Sequence, residues 1–248
     1  MDADLALALE LADLADGIAL QRFRALDLRV DTKADRTPVT EVDEAVERAI
    51  RERLAVARPD DAILGEEEGA SGSEPQSPRP RRWIVDPIDG TRNYSRGIPV
   101  WFTLIGVEVD GRVEVGVASA PALGRRWWAR LGAGAFANGE PIHVSAVGTI
   151  EEAVVSFADS SRARIEPLLR RAWHPQAFSD AWAHVLVAEG SVDAAIEHSL
   201  RAWDIAALVP IVEEAGGRVT AVDGRPALVG PGLVTTNGVL HDAVLAEL

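Results

Sequence analysis

The stretch VWFTLIGVEVDGRVEVGVASAP (residues 100–121) most constrains the fold. Two apolar, β-branched segments meet at Asp110-Gly111, a dipeptide suited to a tight hairpin. RRWWARLGAGAFANGEPIHVS continues in the same strand-and-turn fashion, with Asn138-Gly139 as a further turn, so the middle of the chain reads as an antiparallel meander. Helical periodicity flanks it. Leucines and alanines recur at three and four over residues 3–26, and again over 41–57 (EVDEAVERAIRERLAVA), where Thr40 is available as N-cap. Between these helices DTKADRTPVT is a polar connection with room for a short hairpin, and Ile63-Leu64 is a brief apolar segment running into GEEEG.

From about residue 150 the pattern changes to alternating strand and helix. A strand (EAVVSFAD) precedes a helical stretch (RARIEPLLRRAW), a helix near 179–189, a strand near 192–197, a helix at 203–215 and the strand-like GGRVTAVDG. The fold class expected is α+β followed by α/β, with an N-terminal unit over 1–147 and a C-terminal unit over 148–248. Layered sheets and helices, with a site where the halves meet, follow from that order. The Ser/Pro/Gly-rich run ASGSEPQSPRPRR is the segment expected to be most mobile.

Composition excludes several classes. A formal net charge of −14 argues against a nucleic-acid surface, which needs a basic footprint. No apolar run approaches the roughly 20 residues of a membrane span, and the acid-punctuated N-terminus reads as an amphipathic helix instead of a signal peptide. The absence of cysteine removes disulfides and thiolate metal sites and favours a cytoplasmic location. An acidic protein repels an anionic ligand unless cations are bound at the site. Of the 25 basic residues only one is lysine, Lys33.

Acids stand at the ends of several expected elements: Asp43, the run Glu66-Glu67-Glu68, Asp86 and Asp89 in WIVDPIDGTRNY, and Asp204 in RAWDIAAL. Singly, each has a structural reading as a helix N-terminal acid, a solvated loop or a turn. The pair Asp86 and Asp89 resists that reading. Pro87 between them stiffens the chain and offers no N–H, so the backbone is poorly suited to satisfying two buried carboxylates. A hard divalent cation would satisfy them. Two Mg²⁺ ions need several oxygens, which Glu66, Asp86, Asp89 and Asp204 supply, and Gly90-Thr91 offers backbone N–H groups for phosphate oxygens. The Thr91 hydroxyl is placed to orient an attacking water.

WIVDPIDGTRNY and WDIAALVPIVEEAGG together resemble the two signature segments of the inositol monophosphatase superfamily. DTKADRTPVTEVD, ILGEE, AFANGEPIHVS and LVAEGSVDAAIE match the family's further motifs in order and approximate spacing, so the resemblance spans nearly the whole chain. It implies a layered αβαβα sandwich with the metal site between the halves, and Mg²⁺-dependent, typically lithium-sensitive phosphatase activity with two or three metals per site. It implies Glu66 as a metal ligand that also activates water, Asp86 as the bridging ligand, Ile88 as a ligand through its carbonyl, and Asp89 and Asp204 as ligands of the second metal. Thr91 and Asp43 match the pair that positions water, Gly90 and Thr91 also donate to phosphate, and Lys33 stands close to the metal. Glu197 matches a contact to the substrate's alcohol portion. Direct attack of an activated water on phosphorus, without a phosphoenzyme, is the implied reaction. A homodimer is the implied assembly, and RRWWA could serve an interface as easily as a core.

Within the superfamily, FRALDLRVDTKADRTPVTEVD, PVWFTLIGV and SAPALGRRWWA are most similar to histidinol-phosphate phosphatases of the actinobacterial type. Histidinol phosphate carries an ammonium and an imidazole, so its pocket needs carboxylates beyond the metal ligands, and Asp180 and Glu197 are candidates. Asp180 alternatively caps the helix that follows. An inositol-1-phosphate or broader sugar-phosphate phosphatase is the alternative, and a catalytically weak binding homologue a third reading. One segment departs from the family. HPQAFSDAWAH has Gln176 where an arginine is usual and Ser179 where the histidinol-phosphatase glycine would stand, and the stretch before it is shortened. Either the turn is shaped differently, or another arginine such as Arg201 substitutes. The five histidines form no paired ligand motif and read as surface or satisfied core residues.

Overall fold

The structure is a computed structural model that describes residues 2–34, 36–72, 80–158 and 161–248. Most of the loop expected to be mobile, residues 73–79, lies outside the described residues.

Helix α1 (Ala3–Arg22) is followed by a small hairpin of β1 (Val30–Thr32) and β2 (Pro38–Thr40), which pair antiparallel in the polar connection. Helix α2 (Glu41–Ala57) begins at Thr40, whose hydroxyl accepts the Val42 N–H at 3.1 Å while its own N–H donates to Asp43 Oδ2 at 2.9 Å. Strands β3 (Ala62–Gly65), β4 (Gly69–Ser71) and β5 (Arg81–Asp89), the short helix α3 (Thr91–Ser95), and strands β6 (Phe102–Val109), β7 (Arg112–Ala120), β8 (Arg125–Arg130), β9 (Gly134–Ala137) and β10 (Glu140–Pro141) complete the first half. These strands form one sheet in the order β10-β9-β8-β7-β6-β5-β3-β4, antiparallel throughout except for the parallel pair β3 and β5. The expected hairpin at Asp110-Gly111 has both residues at positive φ (54° and 79°), as a tight two-residue turn requires.

The second half carries β11 (Val154–Phe157), α4 (Glu166–Arg171), β12 (His174–Gln176), α5 (Asp180–Ala188), β13 (Ala194–Glu197), α6 (Ala202–Ala206), α7 (Leu208–Glu214), β14 (Arg218–Thr220), β15 (Leu233–Thr236) and α8 (His241–Leu245). Its sheet runs β12-β11-β13-β15-β14, parallel between β11 and its two neighbours and antiparallel beyond. The single helix expected over 203–215 is two, broken at Ala207. Pro210 has no N–H to give the Ala206 carbonyl, so the regular ladder cannot pass that point. In this half, strands β12 and β15 and helix α8 are the elements that periodicity did not reveal.

The layers stack as α1 and α2, the eight-stranded sheet, α5 with α6 and α7, the five-stranded sheet, then α4 and α8. This is the αβαβα sandwich. Both faces of the large sheet are covered, which is why β6 and β7 read as nearly continuous apolar runs. Ile105, Val107, Val115 and Val117 pack under α1 and α2, while Phe102, Leu104 and Ala118 pack under the middle helices. Trp127 of RRWWA is fully buried in that middle core, against Phe102 and Trp182.

Two facing glycines set the depth of the middle layer. Gly106 of β6 and Gly116 of β7 are register partners. A Cβ on Gly116 would lie 2.0 Å from the Ala207 carbonyl oxygen, and one on Gly106 2.7 Å from the Ala206 Cβ. The α6–α7 junction therefore rests on bare backbone, and α6 carries Asp204 onto the sheet at the level where β5 ends. Gly116→Ala should lower unfolding stability by about 1–3 kcal/mol through overpacking. Gly148→Ala, where nothing lies within 4 Å of the added Cβ, should be near neutral. Urea unfolding of the two variants checks the difference, and equal midpoints would contradict this account of the layer.

Candidate metal centre

In a regular strand, residues three apart face opposite sides. Asp86 and Asp89 do not, because β5 is irregular between them. Asp86 pairs with Leu104 and Asp89 with Phe102, so three steps on β5 match two on β6. The extra residue falls within Pro87-Ile88; Pro87 cannot donate to the ladder, and its carbonyl accepts the Thr103 hydroxyl at 2.9 Å. The bulge turns both carboxylates to one side, where Asp204 arrives from the first turn of α6. One carboxylate oxygen from each of Asp86, Asp89 and Asp204 lies within 4.8 Å of the others.

The electrostatics are severe. Burial, followed by the charges of Glu66, Asp89 and Asp204, pushes Asp86 well above the usual carboxylate range. Burial, then Asp180 and Asp204, does the same to Asp89, and burial raises Asp204 to about 6. Glu197 is driven up by burial, then by Asp180 and Asp204. Asp86 Oδ1 is buried with no hydrogen-bond partner. Asp89 Oδ2 accepts the Ala181 N–H at 2.8 Å and so serves the start of α5, while Asp204 Oδ2 accepts the Arg201 N–H at 2.6 Å. An all-oxygen cluster with an orphaned buried carboxylate oxygen fits a hard divalent cation, which would replace the protons these groups otherwise retain.

Around this cluster stand the other expected residues. Lys33 on the β1–β2 hairpin donates to Glu66 Oε1 and Glu67 Oε1, both at 2.7 Å. Burial alone would lower its pKa, but the two carboxylates prevail and hold the ammonium well above its ordinary value. Burial raises Glu67 to about 7 despite Lys33. The Thr91 hydroxyl lies 3.0 Å from Asp43 Oδ1 and 2.9 Å from the Ile88 carbonyl oxygen. Asp43 is fully buried and raised by that burial, with Thr40 and Thr91 as hydrogen-bond donors. Gly90 has φ +80°, and a Cβ there would sit 3.3 Å from the Val100 carbonyl oxygen and 3.6 Å from Asp180 Oδ2.

The altered segment resolves simply. Ser179 is extended (φ −137°, ψ −176°), a conformation any residue adopts, so the missing glycine costs nothing there. The left-handed residue is Asp180 itself, at φ +57°. Asp180 is not the cap of α5, since Asp89 takes that N–H. Its own carboxyl is raised by burial. Gln176 sits on the edge strand β12, opposite Ser156, and the Arg201 side chain is exposed. The histidines divide. His143 and His174 are exposed, and His241 is buried and bonded to Thr220 and Thr236. His184 and His198 each keep one buried ring nitrogen without a partner, so they are not satisfied core residues.

One supporting residue escaped the sequence reading. Glu47 is fully buried, accepts the Glu67 and Glu68 N–H groups at 2.7 and 3.0 Å, and pairs with Arg51 at 2.8 Å. It fixes the turn that presents Glu66. Gly65 is glycine because a Cβ would lie 2.1 Å from Glu47 Oε1. The signal was present: Asp43 and Glu47 are acids on the buried stripe of α2, among Val46, Ile50 and Leu54.

Comparison with known proteins agrees with this geometry. The family model described as "Inositol monophosphatase family" matches residues 1–248. The chain belongs to the inositol monophosphatase family. It is 49% identical to the histidinol-phosphatase of Mycobacterium tuberculosis over 99% of this chain and 97% of that protein. It is 46% identical to the histidinol-phosphatase of Streptomyces coelicolor, over 99% and 96% of the two chains. Among solved structures, the Thermotoga maritima IMPase superposes with a TM-score of 0.89 at 32% identity, covering 99% of this chain and 96% of that one. Members of this family are metal-dependent, and the acid cluster is where this chain can hold metal. No helix among the described residues is long and apolar enough to cross a membrane.

Glu47→Gln, which keeps the shape but loses one acceptor, should weaken divalent-cation binding by about tenfold, as loss of a supporting contact behind a ligand does. Isothermal titration calorimetry measures it. Unchanged affinity would show that the turn holds without Glu47.

Proposed function

We propose that this protein is a Mg²⁺-dependent phosphomonoesterase that hydrolyses L-histidinol phosphate to L-histidinol and phosphate. The observation that carries the reading is the convergence of Asp86, Asp89 and Asp204 through the β5 bulge, in a chain that is 49% identical to a histidinol-phosphatase along its whole length. Histidinol phosphate is favoured over inositol 1-phosphate because buried acid extends beyond the cluster, to Asp180 and Glu197, where the cationic alcohol portion needs counter-charge.

Glu66, Asp86, Asp89, Asp204 and the Ile88 carbonyl are the groups that would hold Mg²⁺. The bound metal supplies positive charge against the phosphate oxygens and lowers the pKa of water. The remaining steps belong to the chain. The Thr91 hydroxyl donates its hydrogen bond to Asp43 Oδ1 or the Ile88 carbonyl, which leaves a lone pair on Oγ1 to accept a hydrogen bond from the attacking water and aim that water at phosphorus. Glu66, steadied by Lys33, takes the proton the water loses as its oxygen bonds to phosphorus and the ester P–O bond breaks, releasing the alcohol portion. Gly90 and Thr91 donate backbone N–H groups to phosphate, and Lys33 offsets charge in a protein whose formal net charge is −14. Residues 1–147 supply most cation ligands in this reading, and 148–248 supply Asp204 and the substrate contacts. A cytoplasmic location fits a soluble biosynthetic substrate, and a homodimer fits the family resemblance.

Phosphate release from L-histidinol phosphate, inositol 1-phosphate and fructose 1,6-bisphosphate, with Mg²⁺ and with EDTA, tests the proposal. The histidinol ester should lead the others in kcat/KM by about tenfold or more, with no release in EDTA. A faster inositol ester would overturn the substrate, and equal rates in EDTA the chemistry. Thr91→Ala should lower kcat by about a hundredfold while calorimetry still shows cation binding. Near-normal turnover would remove Thr91 from the mechanism.

A further inference from the structure

His184 lies one helical turn after Asp180 on α5, on the side that meets the C-terminal end of β13. It is fully buried, and its Nδ1 is 2.8 Å from Thr235 Oγ1. Its Nε2 has no hydrogen-bond partner and points at Glu197 Oε1, 3.7 Å away, which has none either. Two buried orphaned polar atoms facing each other are costly where they serve only the fold. The gap exceeds hydrogen-bond length by a few tenths of an ångström, so a small rotation of Glu197 closes it.

The tautomer follows from the partners. The Thr235 hydroxyl can donate to Nδ1 or accept from it, so Glu197 decides: the ring proton on Nε2 faces the carboxylate, whereas the opposite tautomer would set a lone pair against it. We propose that His184 is a positioning residue for Glu197, its Nε2–H orienting the carboxylate toward the cationic portion of the substrate. This rests on the reading above, in which Glu197 meets that portion. The choice of histidine has a reason. A lysine or arginine behind Glu197 would neutralise it, whereas burial holds His184 neutral, with its pKa lowered to about 3. Glu197 is thus oriented by a donor that leaves its negative charge for an ammonium or imidazolium. Inositol, with only hydroxyls, gains little from such an arrangement.

The test compares KM for L-histidinol phosphate with KM for glycerol 2-phosphate, an ester without a cationic group, in wild type, His184→Leu, His184→Gln and Glu197→Gln. His184→Leu should raise the ratio of the two KM values by about tenfold, the size of a lost charge-assisted contact. His184→Gln, whose amide offers an N–H, should recover most of it. In wild type, ¹⁵N NMR of the His184 ring should show a protonated Nε2 and an acceptor Nδ1. An unchanged ratio in His184→Leu, no recovery in His184→Gln, or the reverse tautomer would overturn the assignment. If Glu197→Gln shifts the ratio and His184→Leu does not, only this inference fails. If Glu197→Gln leaves the ratio unchanged, the reading of Glu197 fails and this inference with it.

Discussion

Carboxylates gathered in a buried pocket repel one another, and the architecture of this protein is arranged around holding them there. Asp86, Asp89 and Asp204 meet within 4.8 Å, and Glu66, Asp180 and Glu197 are near enough to raise their pKa values further. In water such charges are screened; in a buried site they are screened far less. Protons or a divalent cation must compensate them, and only the cation leaves all three carboxylates ionised.

Each structural irregularity near the site serves that convergence. The bulge between Asp86 and Asp89 cancels the strand alternation that would separate them. The glycine pair Gly106 and Gly116 lets the α6–α7 junction down onto the sheet, so that Asp204 reaches the same point. Gly65 leaves room for Glu47, which ties down the turn carrying Glu66. Charge is then divided by position: Lys33, the sole lysine, attends Glu66 and Glu67, while the ring nearest Glu197 is the neutral His184. The inner carboxylates suit metal and the outer ones an organic cation.

Much of this was legible in the sequence. The Asp110-Gly111 hairpin, the Thr40 cap and the acids of WIVDPIDGTRNY were visible because they depend on local rules: turn chemistry, capping and composition. What stayed hidden depends on neighbours distant in the chain. That the Pro87-Ile88 step makes a bulge is a matter of register with β6, and the role of Glu47 appears only once Gly65 is placed beside it. Strand β15 gave no signal because LVTT is short and is stabilised by β13 and β14. Ser179 looked like a lost glycine, yet the positive φ falls one residue later. His184 read as a surface or satisfied core residue, and only its placement against Glu197 shows the unpartnered nitrogen.

The most direct measurement is the thermal unfolding of wild type and Asp86→Asn, each without metal and across a Mg²⁺ titration. Without metal, Asp86 must either stay charged beside its acidic neighbours or hold a proton at neutral pH, and Asp86→Asn removes that cost at a group whose Oδ1 has no hydrogen-bond partner. Repulsion within the cluster predicts that, without metal, the variant melts a few degrees above wild type, at about 2–4 °C per kcal/mol relieved. Added Mg²⁺ should stabilise wild type strongly and the variant little. A metal-free variant less stable than wild type, with both proteins indifferent to Mg²⁺, would contradict the account.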